Sequence, residues 1–72
     1  MLRMITRMKI KRMQLRLTQR ELSRRARVAL GDVSRIENAL LIPTGPRAKR
    51  LAKVLNLHPD DLQCEALRSE RD

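Results

Sequence analysis

The chain has 72 residues, a formal net charge of +9, no Phe, Tyr or Trp, and one cysteine, Cys64. A single small domain of this kind must build its core from Leu, Ile, Val, Met and Ala, which suits close helix packing. The lone cysteine excludes an internal disulfide and a cysteine-based zinc cluster. No apolar run approaches the roughly 18–20 residues of a membrane span.

The charge is unevenly placed. Residues 1–29 carry a net +9, residues 30–58 a net +3, and residues 59–72 a net −3. Clustered positive charge is the electrostatic footprint of a polyanionic partner. The opening MLRMITRMKIKRM is too broken by charge to read as a secretory signal.

From Met4 to Leu15, apolar residues at 5, 8 and 15 share a helical stripe with Arg12, so a first helix is expected here. Arg12 is then a guanidinium aimed at the core, and it needs an acceptor. Ile10 and Met13 fall off the main stripe. Thr18 followed by Glu21 is a capping box, and Leu17 with Leu22 is a hydrophobic staple, so a second helix starts at Gln19. Its free N–H groups and dipole favour an anion at that end.

The corner is Arg27-Val28-Ala29. A third helix is expected over about Leu30–Asn38, with Val33 and Ile36 inward and Asp32, Ser34 and Arg35 outward. Ala39–Ile42 is an apolar connection that meets Pro43. Thr44 is the candidate cap of a fourth helix whose inward stripe is Ala48, Leu51, Ala52 and Leu55. Its basic residues, Arg50 among them, are expected to cover the outside. Asn56 suits a left-handed end. His58-Pro59-Asp60-Asp61 predicts the start of a fifth helix with Leu62 and Ala66 inward. Cys64 reads as a small half-buried residue.

The stretch TQRELSRRA…VSRIEN, then a proline and LAKVLNLHPDDL, resembles the Cro/CI-type (XRE) helix-turn-helix family across about Thr6–Leu62. The resemblance implies an all-α fold: a bundle of about five short helices containing a helix-turn-helix, as in the lambdoid phage repressors. It implies an ion pair between Arg12 and Glu37, which supplies the acceptor that Arg12 requires. It implies phosphate contact by Gln19, a late reading position at Arg35, and a place near the DNA backbone for Asn38. The outward bases Arg20, Arg27 and Arg47 lie where backbone contacts would be made.

Several positions depart from the family pattern. Arg27 and Ala39 stand where glycine is usual, and Ala29 stands where a Ser or Thr cap is usual. The first two reading positions are Leu30 and Gly31, whose side chains cannot hydrogen-bond a base edge, although Leu30 can touch a thymine methyl. A late helix start with Asp32 as cap is the alternative these departures suggest.

The expectation is therefore a sequence-specific transcriptional regulator, a repressor, without enzymatic chemistry and without cofactor or metal. It would act as a homodimer on double-stranded DNA at a near-palindromic operator, in the cytoplasm at the nucleoid. The expected interface is Gln19, Arg20, Arg27, Leu30, Gly31, Asp32, Ser34, Arg35, Asn38 and Arg47. Residues 1–67 form the domain and residues 68–72 a charged, frayed tail. The alternative is a protein-interaction module of the same fold, with Leu30, Leu40, Leu41 and Ile42 as an apolar surface and the basic face holding an acidic partner.

Overall fold

Thr6 starts the helical body. Its backbone is extended (φ −71°, ψ 152°), and its hydroxyl accepts the amide hydrogen of Lys9 at 3.2 Å, capping the first helix. The computed structural model describes residues 4–62 and 65–68, with side chains from residue 6 to residue 62. Four α-helices follow one another: α1 (Arg7–Gln14), α2 (Gln19–Ala26), α3 (Leu30–Glu37) and α4 (Gly45–Leu55). A 3-10 turn, Pro59–Asp61, comes next. Strand β1 (Met4–Thr6) pairs antiparallel with β2 (Glu65–Arg68), with an irregularity between Ile5 and Thr6. The body is all-helical, as the sequence predicts, and this short ribbon ties its two ends.

The ribbon corrects both terminal expectations. The first helix begins at Arg7, not Met4, because Thr6 is its extended cap. The fifth helix is a single 3-10 turn. There the His58 ring accepts the Asp60 amide hydrogen at 3.2 Å, as a capping residue should. Met8 N–H then donates to the Leu62 carbonyl at 3.2 Å, so the chain leaves the turn alongside α1 and pairs with β1. Leu62 is fully buried, as expected. Arg68, assigned to the tail from sequence, pairs with Met4. The readings made for the Cys64 and Ala66 side chains, and for the tail over residues 69–72, lie outside the described residues.

All four α-helices end in the same way. A residue in the left-handed region follows each: Arg16 (φ 58°), Arg27 (φ 56°), Ala39 (φ 61°) and Asn56 (φ 57°). Each donates its N–H three residues back, and the next residue donates five back. The latter bonds are Leu17 N to Arg12 O at 3.0 Å, Val28 N to Ser23 O at 3.0 Å, Leu40 N to Arg35 O at 2.7 Å and Leu57 N to Ala52 O at 2.9 Å. This is the Schellman closure, normally completed by an apolar contact from that next residue. Leu17 and Val28 are buried and Leu57 is half-buried, as the motif requires. Leu40 is the exception, at 75% exposed. The same closure explains why Leu15 is turned out, against the stripe reading. The helix stops at Gln14, the chain reverses at Arg16, and Leu17 takes the inward place.

The core contains Met8 from α1, Leu22 and Ala26 from α2, Val33 and Ile36 from α3, and Ala48, Leu51, Ala52 and Leu55 from α4. Both staple leucines belong to it, and Val28 plugs the corner between α2 and α3. None of the four helices exceeds 11 residues. Isolated helices of this length are marginal in water, so burial of these faces supplies most of their stability.

Candidate nucleic-acid interface

The pair α2–α3 is fixed from behind by a charged network. Arg12 reaches from α1 to Glu37 at the end of α3, with Nε–Oε2 at 2.6 Å and Nη2–Oε1 at 3.2 Å. Its Nη1 donates to the Leu17 carbonyl at 2.7 Å. Gln19, at the start of α2, donates from Nε2 to Glu37 Oε1 at 3.0 Å. The Glu37 side chain is 1% exposed and that of Arg12 is 13% exposed. One carboxylate thus receives three donors from two other helices, which is how a buried charge is made tolerable. The expected Arg12–Glu37 pair is present. Gln19 joins it, and so is anchored at the base of the recognition pair. Its amide nitrogen has a second hydrogen that this bond does not use.

The entry to α2 follows the sequence closely. Glu21 N donates to the Thr18 hydroxyl at 3.0 Å, and Thr18 N donates to Glu21 Oε1 at 2.8 Å. The Thr18 backbone N–H first, and the Thr18 side chain second, hold the Glu21 carboxyl below the usual carboxylate range. The corner after α2 needed more than sequence reasoning supplied. Arg27 occupies the left-handed position that favours glycine. Two side chains hold the corner there. The Ser23 hydroxyl donates to Val28 O, and Arg50 donates to the Ala26 carbonyl at 2.8 Å and the Arg27 carbonyl at 3.3 Å. Sequence alone makes Arg50 an ordinary surface base. Its role needs the α2–α4 packing, which no local pattern encodes.

Helix α3 starts at Leu30, with Ala29 at the cap position and no side-chain capping bond. Asp32 N and Val33 N both donate to Ala29 O at 3.0 Å, so the late start at Asp32 is not adopted. Val33, Ile36 and Glu37 face inward. Helical spacing then puts Gly31, Arg35 and Asn38 on the outward line, with Ser34 and Leu30 on one flank and Asp32 on the other. Arg35 and Asn38 are exposed, Ser34 is half-buried, and Leu30 is 39% exposed.

The acid on this surface is not free. Asp32 Oδ1 takes Nη1 of Arg35 at 3.1 Å, and its Oδ2 lies 3.6 Å from Nη2 of Arg47, which comes from the first turn of α4. Asp32 therefore links the recognition helix to α4 and draws two arginines together. Arg20 on α2 and Arg27 at the corner after it are exposed, as expected. Beyond α3, Leu40 and Ile42 (63%) are exposed, whereas Leu41, assigned with them to an apolar surface, packs in part against the core. Thr44 occupies the cap position of α4 but makes no side-chain capping bond; the helix begins at Gly45, with Pro46 in its first turn.

Among the described residues, no group of three or more His, Cys, Asp or Glu could hold a metal ion, and no helix is long and apolar enough to cross a membrane. An outward helix with a basic surround, held by a second helix and a left-handed corner, is the arrangement of a helix-turn-helix. The family model of the helix-turn-helix matches residues 8–62. The chain belongs to the Cro/CI-type (XRE) helix-turn-helix family and is a DNA-binding regulator of that type. That family is generally non-enzymatic. No curated protein and no solved structure gives a match.

Proposed function

We propose that the protein is a sequence-specific repressor which binds a near-palindromic operator as a homodimer, with α3 in the major groove. Half-sites would then lie about one helical turn, roughly 34 Å, apart. The observation that carries this reading is the outward line of α3, where Arg35 presents a side chain 60% exposed beside a basic surround. Arg35 reads a base edge, and Leu30 touches a thymine methyl. Gln19, Arg20, Arg27, Ser34, Asn38 and Arg47 hold the phosphate backbone on either side. With few polar side chains on the reading helix, phosphate contacts dominate affinity. Occupancy of the operator blocks transcription, and the protein works at the nucleoid.

Selection from a random DNA pool, with the mass of the complex measured, tests this reading. The expected result is one enriched, two-fold related motif, a mass of two chains per site, and a steep fall of affinity with salt. No enrichment at moderate salt overturns it. One observation favours a second reading: Leu40 and Ile42 stay exposed next to the recognition helix. In that reading the domain holds an acidic protein partner by its basic face and this apolar pair, and DNA selection enriches nothing.

A further inference from the structure

Gly31 looks like a gap in the reading surface, yet the structure fills it. A Cβ built on Gly31 would sit 3.5 Å from Nη1 of Arg35. The guanidinium therefore lies back along the helix, over the residue four positions earlier. Helical side chains lean towards the N-terminus, so a long one covers the turn ahead of its own Cα. The absence of a side chain at residue 31 leaves that turn open. Asp32 then holds the guanidinium through Nη1, and its other oxygen faces Arg47.

We infer that Gly31, Asp32, Arg35 and Arg47 form one specificity-determining unit that reads guanine from the N-terminal turn of α3. This inference rests on the operator-binding reading and adds which atoms read and what places them. Recognition helices contact base edges mainly with their first turns. Arg35 starts late in α3, and only the space over Gly31 delivers its guanidinium to that region. The bond to Asp32 uses Nη1, which leaves the Nε–Nη2 edge of the fork. That edge offers two parallel donors, matching the O6 and N7 acceptors of guanine. Asp32 is a positioning residue in this unit. Its charge also repels phosphate, and while paired it withholds Arg35 from nonspecific backbone contact. It thus trades general affinity for preference at one base pair.

The test compares the full chain with Gly31→Ala, Gly31→Leu, Asp32→Asn and Arg35→Ala on the selected operator and on random DNA, across a salt series. Circular dichroism melts check that each variant is folded; residues 31 and 35 are exposed and residue 32 is half-buried, so the core is untouched. The wild type should prefer guanine at one position per half-site by about tenfold or more. Gly31→Ala should keep that preference, since its Cβ makes only ordinary contact. Gly31→Leu occupies the guanidinium's place and should lose the preference while keeping its affinity for random DNA. Asp32→Asn should bind random DNA more tightly, with a salt slope steeper by about one, and discriminate less. If Arg35→Ala loses the guanine preference while Gly31→Leu and Asp32→Asn keep it, the unit is overturned and operator binding stands. If the wild type selects no sequence, both fall.

Discussion

Removing the Glu37 carboxylate tests the framework of the domain most directly. Glu37→Ala leaves the Arg12 guanidinium in a site where its side chain is only 13% exposed, with the Leu17 carbonyl as its remaining acceptor. It also strips Gln19 of its bond to α3. Breaking a buried pair by deleting one member costs about 3–5 kcal/mol, because the other charge is left uncompensated. A domain of this size has roughly 4–11 kcal/mol of stability in total, at about 0.05–0.15 kcal/mol per residue. The variant should therefore lose between about a quarter and all of its stability. Urea unfolding followed by far-ultraviolet circular dichroism measures this, since the chain has no aromatic residue to report by fluorescence. With a slope near about 1 kcal/mol/M, the midpoint should fall by about 3 M or more. The double variant Arg12→Met/Glu37→Met removes both charges together and should recover most of the loss. A Glu37→Ala change below about 1 kcal/mol would mean that the pair is solvated in solution, and the argument for a framework held by buried charge would fail.

Three further outcomes follow from local geometry. Ala39→Gly and Arg16→Gly relieve left-handed backbone at φ 61° and 58°. Relief of about 1–2 kcal/mol, less the extra entropy that glycine loses on folding, should raise stability by about 0.5–1 kcal/mol each in the same urea assay. Ala29→Ser supplies the hydroxyl missing at the start of α3 and should add about 1 kcal/mol, read as a higher midpoint with an unchanged slope. Glu21 has a lowered pKa in the folded state, so its contribution is present above the ordinary glutamate pKa and is lost as pH falls through the lowered value. Glu21→Gln can keep the capping bond to Thr18 N and should flatten that part of the acid-unfolding profile; an unchanged profile below the ordinary glutamate pKa would count against the assignment.

What the sequence reveals depends on how local each cause is. The capping box at Thr18–Glu21, the staple of Leu17 and Leu22, and the inward stripe of α4 act within a few residues, and the structure contains them as read. The unusual residues at 27, 29 and 39 stand out against the family pattern, which has glycine or a capping side chain there. The Arg12–Glu37 pair is long-range: a charge on an apolar stripe demands a partner, and only the family resemblance points to Glu37. The misreadings share a different cause. Met4–Thr6 pairs with a segment some 60 residues away, and no periodicity within the segment can foretell that. The turn Pro59–Asp61 is properly capped by His58 and still fails to extend, because Leu62 is committed to the first turn of α1. At the candidate interface, sequence alone made Gly31 a loss. Only coordinates place the Arg35 guanidinium over it.

The recognition helix is weakly built from its own residues. It has eight residues, an alanine at the cap, a glycine in the first turn and a left-handed alanine after its end. Alone it would not form. Its support comes from Val33 and Ile36 in the core and from Glu37, which Arg12 and Gln19 grip from two other helices. All of that support acts on the inward face. Apart from Asp32, which pairs with Arg35 and Arg47, the outward residues carry little of the structural duty and can vary without loss of fold. A glycine is affordable at residue 31 because helix propensity does not decide whether α3 forms. Stabilising α3 from its ends, by Ala29→Ser or Ala39→Gly, should accordingly raise stability without changing which bases are selected. Perturbing the inward carboxylate should disturb both, because Glu37 sets the placement of α3 against α1 and α2 as well as its stability.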